Sequence, residues 1–309
     1  MVSDLLAPAA MLHLLGGLVL ATLVYQDASL RGHHRPLSLA AGTLVLGLLG
    51  AVGYYAVRTR IGELPADVTR FRAPLGARAR DLFKGVLLIV GAFLCATAIV
   101  GLGANALVAA GVVARDTLEF RVVAAVLQFF GFGIGVGGYL VVTRDWDLVE
   151  VRVPTLRTVG LIAVGVVALL LAQLAIARLL AVLGISVAQN QVVVTGQQDP
   201  RYFLYMIPVA ILLVGPFEEL VFRGGVQGIL RRTWGPSVAI VVASVLFHWI
   251  ALTGGGGSRV PYVTVAATLG LVLGYLYERS RNLVVPAVVH GLYNTVLFGA
   301  QYLSATGMG

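Results

Sequence analysis

IPVAILLVGPFEELVFRGG, residues 207–225, decides how this chain has to be read. An apolar run long enough to cross a bilayer carries two adjacent carboxylates, Glu218 and Glu219, with Arg223 one helical turn beyond. An ionised side chain at the centre of a membrane helix costs about 2.5–3.5 kcal/mol or more, so such groups mark functional sites by default. The rest of the chain has the same character. Of 309 residues 59% are hydrophobic and only 12% charged, and the mean hydropathy is +0.93. That composition calls for lipid as its solvent.

Apolar runs of spanning length lie at about 6–25, 38–57, 84–112, 121–143, 157–184, 203–222, 236–252, 262–278 and 283–303. They predict an all-α, polytopic membrane helix bundle of about 8–9 transmembrane helices, since the runs are too long for barrel strands. The start MVSDLLAPAA lacks a basic leader region, so the first run reads as a retained span. With a cytoplasmic N-terminus, fifteen Arg and Lys residues fall on inner loops and six on outer ones, Arg31, Arg35, Arg115, Arg121, Arg201 and Arg259. This is the positive-inside bias of a cytoplasmic N-terminus and an external C-terminus; the expected location is the cell (plasma) membrane. The net charge of +8 is therefore read as topology signal and headgroup contact, not as nucleic-acid binding. Residues 1–150 form an N-terminal region of four spans with a basic cytoplasmic loop at 58–83, and residues 151–309 a core of five, divided by the loop at 144–156. Glycines 131, 133, 135, 137 and 138 predict close helix packing.

Of fourteen carboxylates, twelve lie in loops or at span ends, which leaves Glu218 and Glu219. Glu219 stands four residues before Arg223, the favourable order for an intrahelical ion pair. Glu218 is rotated by about 100° and is free to face a cavity. His33 and His34 are loop residues and His13 reads as structural, but His248 and His290 sit inside late spans. Asn294 follows His290 by one turn, so both share a face. Two centres suit this set. In one, Glu218, His248 and His290 ligate zinc or another divalent metal that acidifies a bound water. In the other no metal is needed: Glu218 is the general base, His248 holds the water, and His290 with Asn294 stabilises an oxyanion. Either one hydrolyses a carbonyl compound. The lone cysteine, Cys95, reads as a small buried hydrophobe.

Glu218-Glu219-x-x-x-Arg223, His248, and Tyr277-Glu278-Arg279-Ser280-Arg281-Asn282 running on to His290-x-x-x-Asn294 resemble the CPBP intramembrane proteases. This family includes the CAAX prenyl endopeptidases and the Abi bacteriocin self-immunity relatives. The resemblance covers about residues 155–303 and has one departure, Ser244 where the family's FxxxH motif carries Phe. It implies a peptidase, of metalloprotease or glutamate type, acting on a membrane-embedded or lipidated peptide. In it Glu218, Glu219, His248, His290 and Asn294 would be catalytic and Arg223 supporting, with the site open toward the cytoplasm. Two other readings use the same residues: a non-catalytic membrane adaptor or immunity protein of this fold, and a proton-coupled transporter, for which no internal repeat is evident.

Overall fold

The computed structural model describes residues 2–61, 73–182, 191–251 and 259–308. Of the described residues 87% are helical, and no strand occurs among them. The N-terminal elements are α1 (Val2–Leu30), α2 (Pro36–Leu46), α3 (Leu48–Ile61), α4 (Leu75–Ala109) and α5 (Leu118–Thr143). The core follows with α6 (Leu156–Val182), the short α7 (Gln191–Gln198), the long α8 (Arg201–Trp234), α9 (Pro236–Ala251), α10 (Arg259–Ser280) and α11 (Val284–Thr306). Among the described residues, α4, the Leu118–Thr143 helix, the Leu156–Leu179 part of α6, and α8 are long and apolar enough to cross a membrane. The expectation of eight or nine spans thus stands at four shown.

The second expected span departs from expectation. Residues 38–57 do not form one straight helix; the chain breaks at Gly47, whose φ is +57°, into α2 and α3. A continuous apolar run carries no signal for such a break, because hydropathy is blind to a change of direction.

Close approach of backbones organises the rest. A Cβ at Gly131 would lie 2.4 Å from Ala96 Cα and one at Gly135 2.6 Å from Ala92 Cα, so α5 lies directly on α4. Gly133 instead accepts the ring of Phe217 from α8, whereas Gly137 and Gly138 face open space. Three of the five expected packing glycines therefore act as such.

Helix α8 is irregular. It contains Pro208 and Pro216, and its turns widen to π geometry at Ala210–Val214 and Leu220–Gln227. Proline removes a ladder donor, and π turns recur at functional sites. In a straight α-helix every fourth residue drifts around the axis by about 40°. Wider turns reduce that drift, so Glu219, Arg223, Gln227 and Arg231 hold one face. That stripe meets α10 at a constant register. Arg223 Nη2 donates to Gly270 O at 3.2 Å, Gln227 Nε2 to Gly274 O at 3.0 Å, and Arg231 Nη2 to Glu278 Oε1 at 2.5 Å. Each pair is 47 residues apart.

One end of the bundle is tied by ion pairs. Arg232 holds Asp145 at 3.0 Å and Asp147 at 2.9 Å, and Arg281 pairs with Glu150. The Asn282 side chain accepts from Arg152 N at 3.1 Å and donates to Arg152 O at 2.9 Å. Leu283 N donates to Glu150 O at 2.7 Å, and Leu148 is buried against Gly224 and Gly228. The loop expected as a boundary is therefore a strap fastened across the end of the core. The start of α4 lies at this same end, where Trp234 Nε1 donates to Arg78 O at 3.1 Å and Thr233 to Asp81 at 3.0 Å. The opposite end holds Arg121, which donates to Thr195 at 3.3 Å.

Candidate active site

The adjacent glutamates of α8 have opposite surroundings. Glu219 is fully buried, with Oε2 3.1 Å from Arg223 Nε and Oε1 2.9 Å from His290 Nδ1. Glu218 keeps its side chain 20% exposed and points Oε2 at His290 Nε2 across 3.9 Å. The imidazole thus stands between the two carboxylates. Beside the guanidinium Glu219 is a carboxylate, which only accepts, so Nδ1 carries the proton and Nε2 is left toward Glu218. A gap of 3.9 Å is too long for a direct hydrogen bond and is one that a water bridges.

This geometry depends on two glycines that motif reading passes over. A Cβ on Gly215 would lie 2.3 Å from Ala287 O, and one on Gly291 2.9 Å from Ile211 Cα. Only bare backbone lets α11 approach α8 closely enough to seat His290 against Glu219. Glycines inside apolar runs carry no chemical signal, and their spacing to the motif residues is the one trace they leave.

Arg223 is 1% exposed. It bonds Gly270, lies against Glu219, and has its guanidinium carbon 5.4 Å above the Phe247 ring. Glu219 Oε2, Arg223 Nη1 and Gln227 Oε1 are buried with no hydrogen bond of good geometry, although Oε2 is in ion-pair contact. Polar groups in such a place are costly, and this polar core is not optimised for stability alone.

Asn294 is half-buried one turn beyond His290, and its amide has no hydrogen-bond partner among the described residues. His248 lies on α9, but its side chain falls outside the described residues, so the structure brings together Glu218, Glu219, Arg223 and His290 and is silent on the fifth polar group. The departure at Ser244 has a packing reason. A Cβ on Gly270 would lie 2.8 Å from Ser244 Cβ, so α9 and α10 touch there and a phenylalanine has no room. Phe247 and Phe222 supply aromatic bulk nearby, with ring centroids 4.5 Å apart.

Residues 200–296 match the family model described as type II CAAX prenyl endopeptidase Rce1-like. Over this stretch the chain is similar to the Rce1-like proteases. The matched stretch begins at the head of α8 and ends just past Asn294, so it contains every candidate residue named above. No curated protein and no solved structure matches the chain. The Rce1-like family is a family of proteases, and with four apolar helices of spanning length the chain is an integral membrane protein.

Proposed function

We propose that the protein is an intramembrane endopeptidase that hydrolyses a peptide bond of a membrane-associated substrate, with Glu218 as the general base. The observation that carries this reading is the division of labour around His290: one glutamate sealed against Arg223, the other partly exposed on the imidazole's far side. Glu218 takes a proton from a water placed between it and His290 Nε2 as the water oxygen adds to the scissile carbonyl. The carbonyl oxygen becomes an oxyanion. When the C–N bond breaks, the proton passes from Glu218 to the leaving nitrogen. His248 completes the hold on the water.

The residue pattern gives His290 an oxyanion role. In the neutral ring, however, the Nδ1 proton is engaged by Glu219, so Nε2 accepts and cannot donate. We therefore assign donation to the oxyanion to the Asn294 amide. A divalent ion such as zinc would draw on the same donors. Glu218 Oε2 and His290 Nε2 would hold it with His248, and Glu219 behind the imidazole matches the carboxylate–histidine support of metal sites. When bound, such an ion supplies a more acidic water. The substrate class suggested by the matched family is a prenylated C-terminal peptide.

The test is cleavage of a fluorogenic prenylated peptide and a panel of transmembrane peptides by purified protein, with and without a chelator. Wild type cleaves; Glu218→Ala and His290→Ala do not, and chelator sensitivity decides between metal and glutamate chemistry. Wild-type turnover by Glu218→Ala refutes the assignment. A wild type inert on all substrates, together with full complementation of a deletion strain by Glu218→Ala, replaces this reading with the non-catalytic adaptor.

A further inference from the structure

Helices α2 and α3 fold back on each other. A Cβ on Gly50 would lie 2.8 Å from Thr43 Cα, a distance that two turns of one straight helix do not allow. The bend at Gly47 sits beside His13, whose Nε2 lies 3.0 Å from Val45 O. Both open ends of the hairpin lie much farther along α1. Tyr54 donates to Asp27 at 2.8 Å, and the same carboxylate meets Arg31 at 2.8 Å and Arg58 at 3.7 Å. The 11 residues of α2 rise only about 16 Å, roughly half of a ~30 Å hydrocarbon layer. The 29 residues of α1 rise about 43 Å, enough to cross it.

From the base of the hairpin at Ile61 the chain leads on to α4, which starts at Leu75 at the strapped end of the bundle, where Arg78 O accepts from Trp234 Nε1. Val45, Leu46, Leu48 and Leu49 around the tip are each more than half exposed, an apolar patch that water does not tolerate and acyl chains do. Irregular backbone at membrane depth needs its polar groups satisfied, and His13 does this for the Val45 carbonyl.

We infer that α2–α3 is a re-entrant hairpin whose tip packs among inner-leaflet acyl chains and whose two ends emerge on the cytoplasmic side. The N-terminus is then external, the reverse of the assignment from a straight second span. Charge supports the reversal independently. Moving Arg31 and Arg35 inside changes the tally from fifteen against six to seventeen against four. The exposed tip and the cations at its base are the two halves of a lipid-facing surface: apolar where the chains are, basic where the anionic headgroups are.

The test does not depend on catalysis. In a Cys95→Ala background, single cysteines at Ser3→Cys, His34→Cys (or Arg35→Cys) and Ser304→Cys are treated with a membrane-impermeant maleimide in intact cells. Ser3→Cys and Ser304→Cys are labelled directly, and the 34/35 position only after permeabilisation. Labelling of the 34/35 position in intact cells, or Ser3→Cys and Ser304→Cys on opposite faces, overturns the inference. A bimane on Leu46→Cys is quenched by lipids brominated at mid-chain, and absence of quenching overturns the placement of the tip.

Discussion

Replacing Gly215 by alanine tests whether backbone contact between α8 and α11 sets the geometry of the site. The added Cβ would lie 2.3 Å from Ala287 O and 3.1 Å from Gly291 N. Ordinary contact begins near 3.4 Å, so the helices must part by about 1 Å, and backbone cannot yield as a long side chain does. A separation of that size turns the 2.9 Å contact of His290 Nδ1 with Glu219 Oε1 into one too long to orient the ring. Displacements of about 1 Å cost on the order of 100-fold in rate, equivalent to about 2.7 kcal/mol in the barrier. Overpacking itself removes about 1–3 kcal/mol of stability. Gly215→Ala should therefore remain folded with a lowered melting temperature in detergent, and its kcat on a cleavable membrane peptide should drop about 100-fold while KM changes little. Gly137→Ala, which enters open space, serves as the control and should match wild type in both readouts. Activity of folded Gly215→Ala within threefold of wild type refutes the reasoning.

The two glutamates should separate function from stability. Glu219→Gln leaves the buried Arg223 without its counter-charge and should cost about 3–5 kcal/mol, seen as a large loss in thermal melting; Glu218→Gln should abolish cleavage and leave melting nearly unchanged. Asn282→Ala removes both bonds to the Arg152 backbone and should cost about 1–3 kcal/mol, with limited proteolysis reporting release of residues 145–152. Tyr293→Phe removes a 3.0 Å bond to Gln173 between α11 and α6 and should lower stability by only about 0.6 kcal/mol, the usual worth of such a bond in lipid.

What could be read in advance was what lipid makes expensive. Glu218, Glu219 and His290 stood out because their neighbours are apolar, and the Glu219–Arg223 pair because four residues make one turn. The structure places these four groups together. Features that work through shape left no comparable mark. Gly215 and Gly291 cost nothing to bury, so only their spacing to the motif residues marks them. The hairpin is held by His13 at its turn and by Asp27 and Tyr54 at its base, contacts made only by folding, and the run 38–57 has the length of a crossing helix whether it crosses or not. Ser244 appeared as a deviation from a motif and proves to be a fit to Gly270.

The contacts between α8 and α10 behave as a graduated scale. Because Arg223, Gln227 and Arg231 meet Gly270, Gly274 and Glu278 at one common offset, the helices have discrete settings and no continuous slide. A slip of one turn, about 5.4 Å, would hand Arg223 the next glycine carbonyl and strip Arg231 of its carboxylate. The two buried notches are nearly interchangeable, since each offers only a carbonyl. Of the three contacts, the ion pair alone distinguishes one setting from the next, so the register of a buried hydrolytic centre is chosen by a pair of charges about three turns away from it.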